Sequence, residues 1–168
     1  MKKVELIFVP VPGMGHLAST VDFAKRLIHR DRRIWITILC MNWSSGAADE
    51  EYTKSLAASP PDHIQIIELP RVDPPPADMR LKSAEAYIYE FIQRYIPPVR
   101  DAVRDIVSQR QKSLSDSSTR IAGLVLDFFC SPMIDVASEF DLPSYIYLTS
   151  NASFLAFMFY LVTDDVKY

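Results

Sequence analysis

Apolar and polar positions alternate along this chain in two rhythms. The residues "VELIFV" (4–9) form a β-branched and aromatic run that ends at Pro10, Pro12 and Gly13, which predicts a buried strand. From His16 to Arg30, Leu17, Val21, Ala24, Leu27 and Ile28 recur at helical spacing, with Lys25 and Arg26 opposite them. "IWITIL" (34–39) predicts a second strand, followed by a polar loop with a short helix near Glu50 to Ala57. "IQIIEL" (64–69) predicts a third, closed by Pro70, and "PRVDPPPADM" (70–79) is a turn-rich surface connector.

The second half repeats the alternation. A helical pattern runs from Leu81 to about Lys112, and Pro97-Pro98 should bend or divide it, because proline lacks the backbone donor and clashes with the preceding turn. "SLSDSST" (113–119) is a polar linker, and "IAGLVLD" (121–127) is a fourth strand. Ser131-Pro132 has the form of an N-cap with proline at the first helical position, opening a helix to Phe140. "SYIYL" (144–148) is a fifth strand, and the chain is helical from Asn151. There is no internal repeat.

Strands alternating with helices imply an α/β fold, a parallel sheet covered on both faces with right-handed crossovers. Such sheets bind ligands at the carboxyl ends of their strands, where the strand order reverses. In the common order 3-2-1-4-5 that crevice opens between strands 1 and 4. His16 follows strand 1 and Asp127 ends strand 4, so the two converge on one crevice.

Composition adds boundaries. The chain of 168 residues is 49% hydrophobic and 23% charged, which suits one domain with a sizeable core. Its net charge of -3, with no basic stripe, gives no nucleic-acid footprint. Arg30-Asp31-Arg32-Arg33 is a solvated helix end. Cys40 and Cys130 end apolar runs and read as small buried hydrophobes rather than a disulfide, which fits a reducing compartment and a cytoplasmic location. Lys2 and Lys3 precede an apolar run, but Glu5, Pro10 and Pro12 break it and no cleavage site follows, so no signal peptide is read. "YIYLTSNASFLAFMFYLV" (145–162) is interrupted by Thr149, Ser150, Asn151 and Ser153, so it offers no apolar span of about 18 residues. Asn151-Ala152-Ser153 matches a glycosylation sequon without a visible route into the secretory pathway.

An imidazole takes a proton near neutral pH when one ring nitrogen is free. A carboxylate on the other nitrogen fixes the tautomer and stabilises the cation, and no nucleophilic serine is needed if the substrate brings a hydroxyl. Gly13 and Gly15 allow a tight turn and leave space beside the ring. Taken singly, His16 could be a capping or surface residue, and Asp127 could satisfy loop amides; their convergence favours a functional pair. His29 and His63 receive no role. "GMGHLA" also satisfies the dinucleotide pattern G-x-G-x-x-G/A. That pattern expects an acid after strand 2, where Leu39, Cys40, Met41 and Asn42 stand, and His16 would crowd a pyrophosphate. An NAD(P)-dependent oxidoreductase is therefore the alternative, and a non-catalytic small-molecule-binding domain a third.

"FVPVPGMGHLASTVDFAKRLIHRD", "ITILCMN" and "GLVLDFFCSPMIDVASEFDLPSYIYLTSNA" together resemble the N-terminal half of plant UDP-dependent glycosyltransferases acting on flavonoids, other phenolics and terpenoids. The resemblance implies a Rossmann-like N-terminal domain of a GT-B fold and metal-independent, inverting transfer of a sugar, glucose above all. It implies no cofactor, a UDP-sugar co-substrate and a small aromatic or terpenoid acceptor. By position, His16 matches the catalytic base and Asp127 its carboxylate partner, while Gly15 and Thr149 match donor-sugar contacts. Phe128, Phe129 and the loop from Met79 to Tyr89, Phe128 and Tyr87 above all, would line the acceptor pocket. The family's C-terminal, donor-binding half has no counterpart in these residues, so the chain is either a truncation or one member of a two-chain assembly.

Overall fold

Five parallel strands carry the fold, which a computed structural model describes over residues 3–42, 47–112 and 119–164. They are β1 (Val4–Val9), β2 (Ile34–Cys40), β3 (Ile64–Glu68), β4 (Arg120–Asp127) and β5 (Ser144–Tyr147). Their order is β3-β2-β1-β4-β5, all neighbours parallel, as the sequence predicts. The chain is thus an α/β, Rossmann-like domain. Continuous apolar runs suit this sheet because its central strands are buried on both faces. Ile7, Val9, Leu39, Met41, Leu124 and Leu126 face one layer, and Phe8, Ile36, Ile38 and Val125 face the other.

The second of those faces is covered by α1 (Met14–Arg30), through Leu17, Val21, Ala24 and Ile28, and by α2 (Ala47–Ala58). The first is covered by α4 (Ala84–Lys112) and α5 (Ile134–Glu139); α3 (Ala77–Lys82) precedes α4. The proline pair does not divide α4, which is one helix of 29 residues containing Pro97 and Pro98. Phe91, Ile92 and Tyr95 before the prolines share a buried stripe with Val99, Val103 and Ile106 after them. Each of these side chains contributes about 1.5–3 kcal/mol by burial, which outweighs the roughly 3 kcal/mol that an interior proline costs.

Glu5 is the one charged side chain buried inside β1. Its carboxylate accepts from the Thr37 hydroxyl at 2.7 Å and from Arg110 Nε at 2.6 Å, so the charge is neutralised and bonded where it enters the core. In this way the end of α4 is tied to the amino edge of the sheet.

Two further expectations change. Ser131 does not cap a helix. Asp127 caps a 3₁₀ turn over Phe128–Met133, its side chain accepting from the Phe129 N–H, and Ser131-Pro132 lies inside that turn. The carboxylate comes earlier in the chain and, by accepting the Phe129 amide, starts the turn before Ser131 is reached. Coverage of the sheet also lapses at β5, where Tyr145 and Ile146 are 51% and 45% exposed. The last helix, α6 (Ala152–Asp164), keeps Phe157, Phe159 and Tyr160 largely exposed as well. Among the described residues no helix is long and apolar enough to cross a membrane. Lys2 and all but the last residue of the 113–119 linker lie outside the described residues. Cys40 and Cys130 are buried free thiols.

Candidate active site

The switch point is assembled by strand register. Val9, the last residue of β1, pairs with Leu126 of β4, so Asp127 emerges at the same sheet end as the Pro10–Gly13 turn. Gly13 sits at φ +131°, a conformation that side-chain-bearing residues rarely adopt, and starts α1 without a side-chain cap. His16 is the third residue of that helix. A Cβ on Gly15 would meet nothing within 4 Å, so the space beside the helix start is open.

His16 and Asp127, 111 residues apart, meet there. His16 Nδ1 lies 2.8 Å from Asp127 Oδ2 and 3.0 Å from Thr149 Oγ1. The Asp127 side chain is 1% exposed and that of His16 is 31% exposed. Asp127 Oδ1 accepts the Phe129 N–H at 3.1 Å, which fixes the carboxylate plane. A carboxylate only accepts, so the ring nitrogen facing it carries the proton. Nε2 is left as the basic edge of the ring. The hydrogen bond that His16 donates to Asp127, together with the carboxylate's charge, raises the His16 pKa above the usual 6.5, against the opposing effect of burial.

Three elements therefore meet at one imidazole: the start of α1, the end of β4 and the segment after β5. Tyr147, at the end of β5, reinforces the third arm. Its hydroxyl lies 2.8 Å from Ser19 Oγ, and its ring stacks on Phe23 with centroids 4.8 Å apart. Neither Ser19 nor Phe23 was a sequence candidate. Their spacing from His16, i+3 and i+7 on one helix face, was the signal that could have found them.

The aromatic candidates separate. Phe129, 42% exposed, lies T-shaped to the His16 ring, with centroids 6.0 Å apart. Phe128 stands behind it, T-shaped at 5.7 Å to Phe129. Tyr87 sits half-buried on the first turn of α4, on a different element from the three that meet at His16. On the other side of the Gly13 turn is a small crevice bordered by Val11, Met14, Met41, Asn42 and Arg71. Tyr95 fixes its wall: the phenol donates to the Asn42 carbonyl at 3.0 Å and accepts the Asn42 N–H at 3.1 Å. Burial raises the Tyr95 pKa, keeping it a neutral donor. Among the described residues no group of His, Cys, Asp and Glu could hold a metal ion.

No family model matches the chain. UDP-glycosyltransferase 71D1 of Arabidopsis thaliana is 46% identical to it over 161 residues, 96% of this chain and 33% of that protein. Flavonol 3-O-glucosyltransferase UGT71C1 of the same plant is 43% identical over 162 residues, 94% of this chain and 33% of its own length. Among solved structures, Medicago truncatula UGT71G1 complexed with UDP-glucose superposes with a TM-score of 0.77 at 44% identity, over 93% of this chain and 31% of that one. The chain spans about a third of the length of the curated relatives it matches.

Proposed function

Since the chain is homologous to plant UDP-glycosyltransferases, we propose that it supplies the base and the acceptor side of a sugar-transfer enzyme, in the cytoplasm. The single observation that carries this reading is the His16–Asp127 hydrogen bond at the mouth of the sheet, with the opposite ring nitrogen left as the basic edge. In the reaction, His16 Nε2 takes the proton of an acceptor hydroxyl as its oxygen attacks the anomeric carbon of a UDP-sugar, glucose above all. The bond from that carbon to the diphosphate breaks, UDP departs with the electron pair, and the configuration inverts. Asp127 stabilises the imidazolium that forms and holds its tautomer. General-base catalysis of this kind contributes about 10²–10⁴-fold. No metal and no cofactor takes part.

Phe129, T-shaped to the base, flanks a flat aromatic or terpenoid acceptor in this reading, with Phe128 against it, and Tyr87 belongs to the outer rim. Gly15 and Thr149 meet the donor sugar, because one leaves open space beside the base and the other's hydroxyl is already at the ring. The remainder of the donor site belongs to a C-terminal domain outside these 168 residues, whether continuous with them or on a second chain.

The test is reconstitution. The chain is combined with the remaining C-terminal part of UDP-glycosyltransferase 71D1, UDP-glucose and a panel of phenols, and glycoside is followed by mass spectrometry. Glycoside formation supports the reading. Oxidation or reduction of a nicotinamide cofactor without glycoside would replace it with the oxidoreductase alternative.

A further inference from the structure

His16 Nδ1 has two neighbours, and only one of them is its carboxylate partner. The second, Thr149, is 133 residues away in sequence and belongs to the segment between β5 and α6. Because Nδ1 carries a proton toward Asp127, the Thr149 oxygen can only accept from it, and its own proton is turned away from the ring. The contact is built rather than incidental. His16, Ser19 and Phe23 lie on one stripe of α1. Along that stripe β5 and its extension are fastened three times: Thr149 to His16 at 3.0 Å, Tyr147 to Ser19 at 2.8 Å, and Tyr147 stacked on Phe23 within 6° of parallel.

We propose that Thr149 is a positioning residue for His16: its hydroxyl oxygen and the Asp127 carboxylate hold Nδ1–H from two sides and prevent the ring from swinging or flipping. A single carboxylate bond leaves an imidazole free to pivot about that bond. A second acceptor from another element removes this freedom, which matters for a base whose transfer distance is about 3 Å. The proposal rests on reading His16 as the base, whereas its test requires no sugar transfer.

The experiment uses the 168-residue chain with ¹⁵N-labelled histidine and long-range ¹H–¹⁵N correlation spectra across neutral pH, His16 being assigned with His16→Gln. In the wild type, the neutral His16 ring should show the pure Nδ1–H tautomer and a slowly exchanging Nδ1 proton. In Thr149→Val that proton should exchange with water at least tenfold faster. The His16 titration midpoint should also fall, since Asp127 then acts on a ring it holds less well. Thr149→Ser should restore both, and Tyr147→Phe, which keeps the stack but loses the Ser19 bond, should give a smaller change in the same direction. Wild-type spectra and exchange in Thr149→Val would overturn the proposal, as would a loss in Thr149→Ser equal to that in valine. A reconstitution that yields no glycoside would overturn the proposed function while leaving these spectra to decide the positioning role.

Discussion

Replacing Gly123 with alanine should loosen the arm of the fold that carries Thr149. Gly123 lies in β4 at φ +151°. A Cβ there would collide with the Pro143 carbonyl oxygen and come within 3.0 Å of Pro143 Cγ and of Tyr145 Cε2. That carbonyl accepts the Leu124 N–H at 2.9 Å, at the start of the β4–β5 ladder, so the clash can be relieved only by moving β5 outward. Overpacking a close contact costs about 1–3 kcal/mol, and a backbone conformation foreign to alanine costs about 1–3 kcal/mol more. The sum, roughly 4 kcal/mol, is a large part of the 5–15 kcal/mol typical of a domain. At about 2–4 °C per kcal/mol for a chain of this size, the melting temperature should drop by roughly 8–16 °C. Circular dichroism during thermal and urea unfolding of the wild type and Gly123→Ala reads this directly. A variant within about 1 kcal/mol of the wild type would refute the argument that β5 is seated against a bare glycine.

Three further outcomes are expected. Among the described residues Thr20 has a buried hydroxyl without a hydrogen-bond partner, so Thr20→Val should leave stability unchanged or raise it by about 1 kcal/mol in urea titrations. Burial pushes the Cys40 thiol up to about 12 and that of Cys130 well above its ordinary value; both should resist iodoacetamide at mildly alkaline pH and react only in denaturant, as mass spectrometry would show. The His16 pKa is raised by Asp127, so its contribution to stability is complete below the unfolded value near 6.5 and is lost as pH rises through the higher folded value. Asp127→Asn should remove that pH-dependent component from a series of melting curves, and a wild-type slope in the variant would contradict the assigned cause.

The strand order and the His16–Asp127 meeting were legible because parallel strands announce themselves as apolar runs, and their topology then dictates which loops share a crevice. What escaped the sequence depends on balances between distant residues. Pro97-Pro98 reads as a break until the stripe from Phe91 to Ile106 is seen to be buried on one continuous face. Ser131-Pro132 is a good local cap, but the Asp127 carboxylate, four residues earlier, accepts the Phe129 amide and starts a 3₁₀ turn that already encloses the serine and proline. Glu5 reads as an interruption of an apolar run because its partner Arg110 is 105 residues away. Phe128 and Phe129 are adjacent and identical in kind, so only the turn geometry after Asp127 decides which of them faces the imidazole. The resemblance in the sequence assigned Thr149 to the donor sugar, and its hydrogen bond to His16 was visible in no local pattern.

His16, held by Asp127, is proposed as the base of a sugar transfer. The direct measurement is the rate of glucoside formation by the reconstituted assembly with wild-type chain and with His16→Ala, at saturating UDP-glucose and phenol. Transfer should fall by about 10²–10⁴-fold in the variant, with the far-ultraviolet circular dichroism of the folded chain preserved, because the imidazole is part-exposed. Transfer at the wild-type rate by His16→Ala would contradict it.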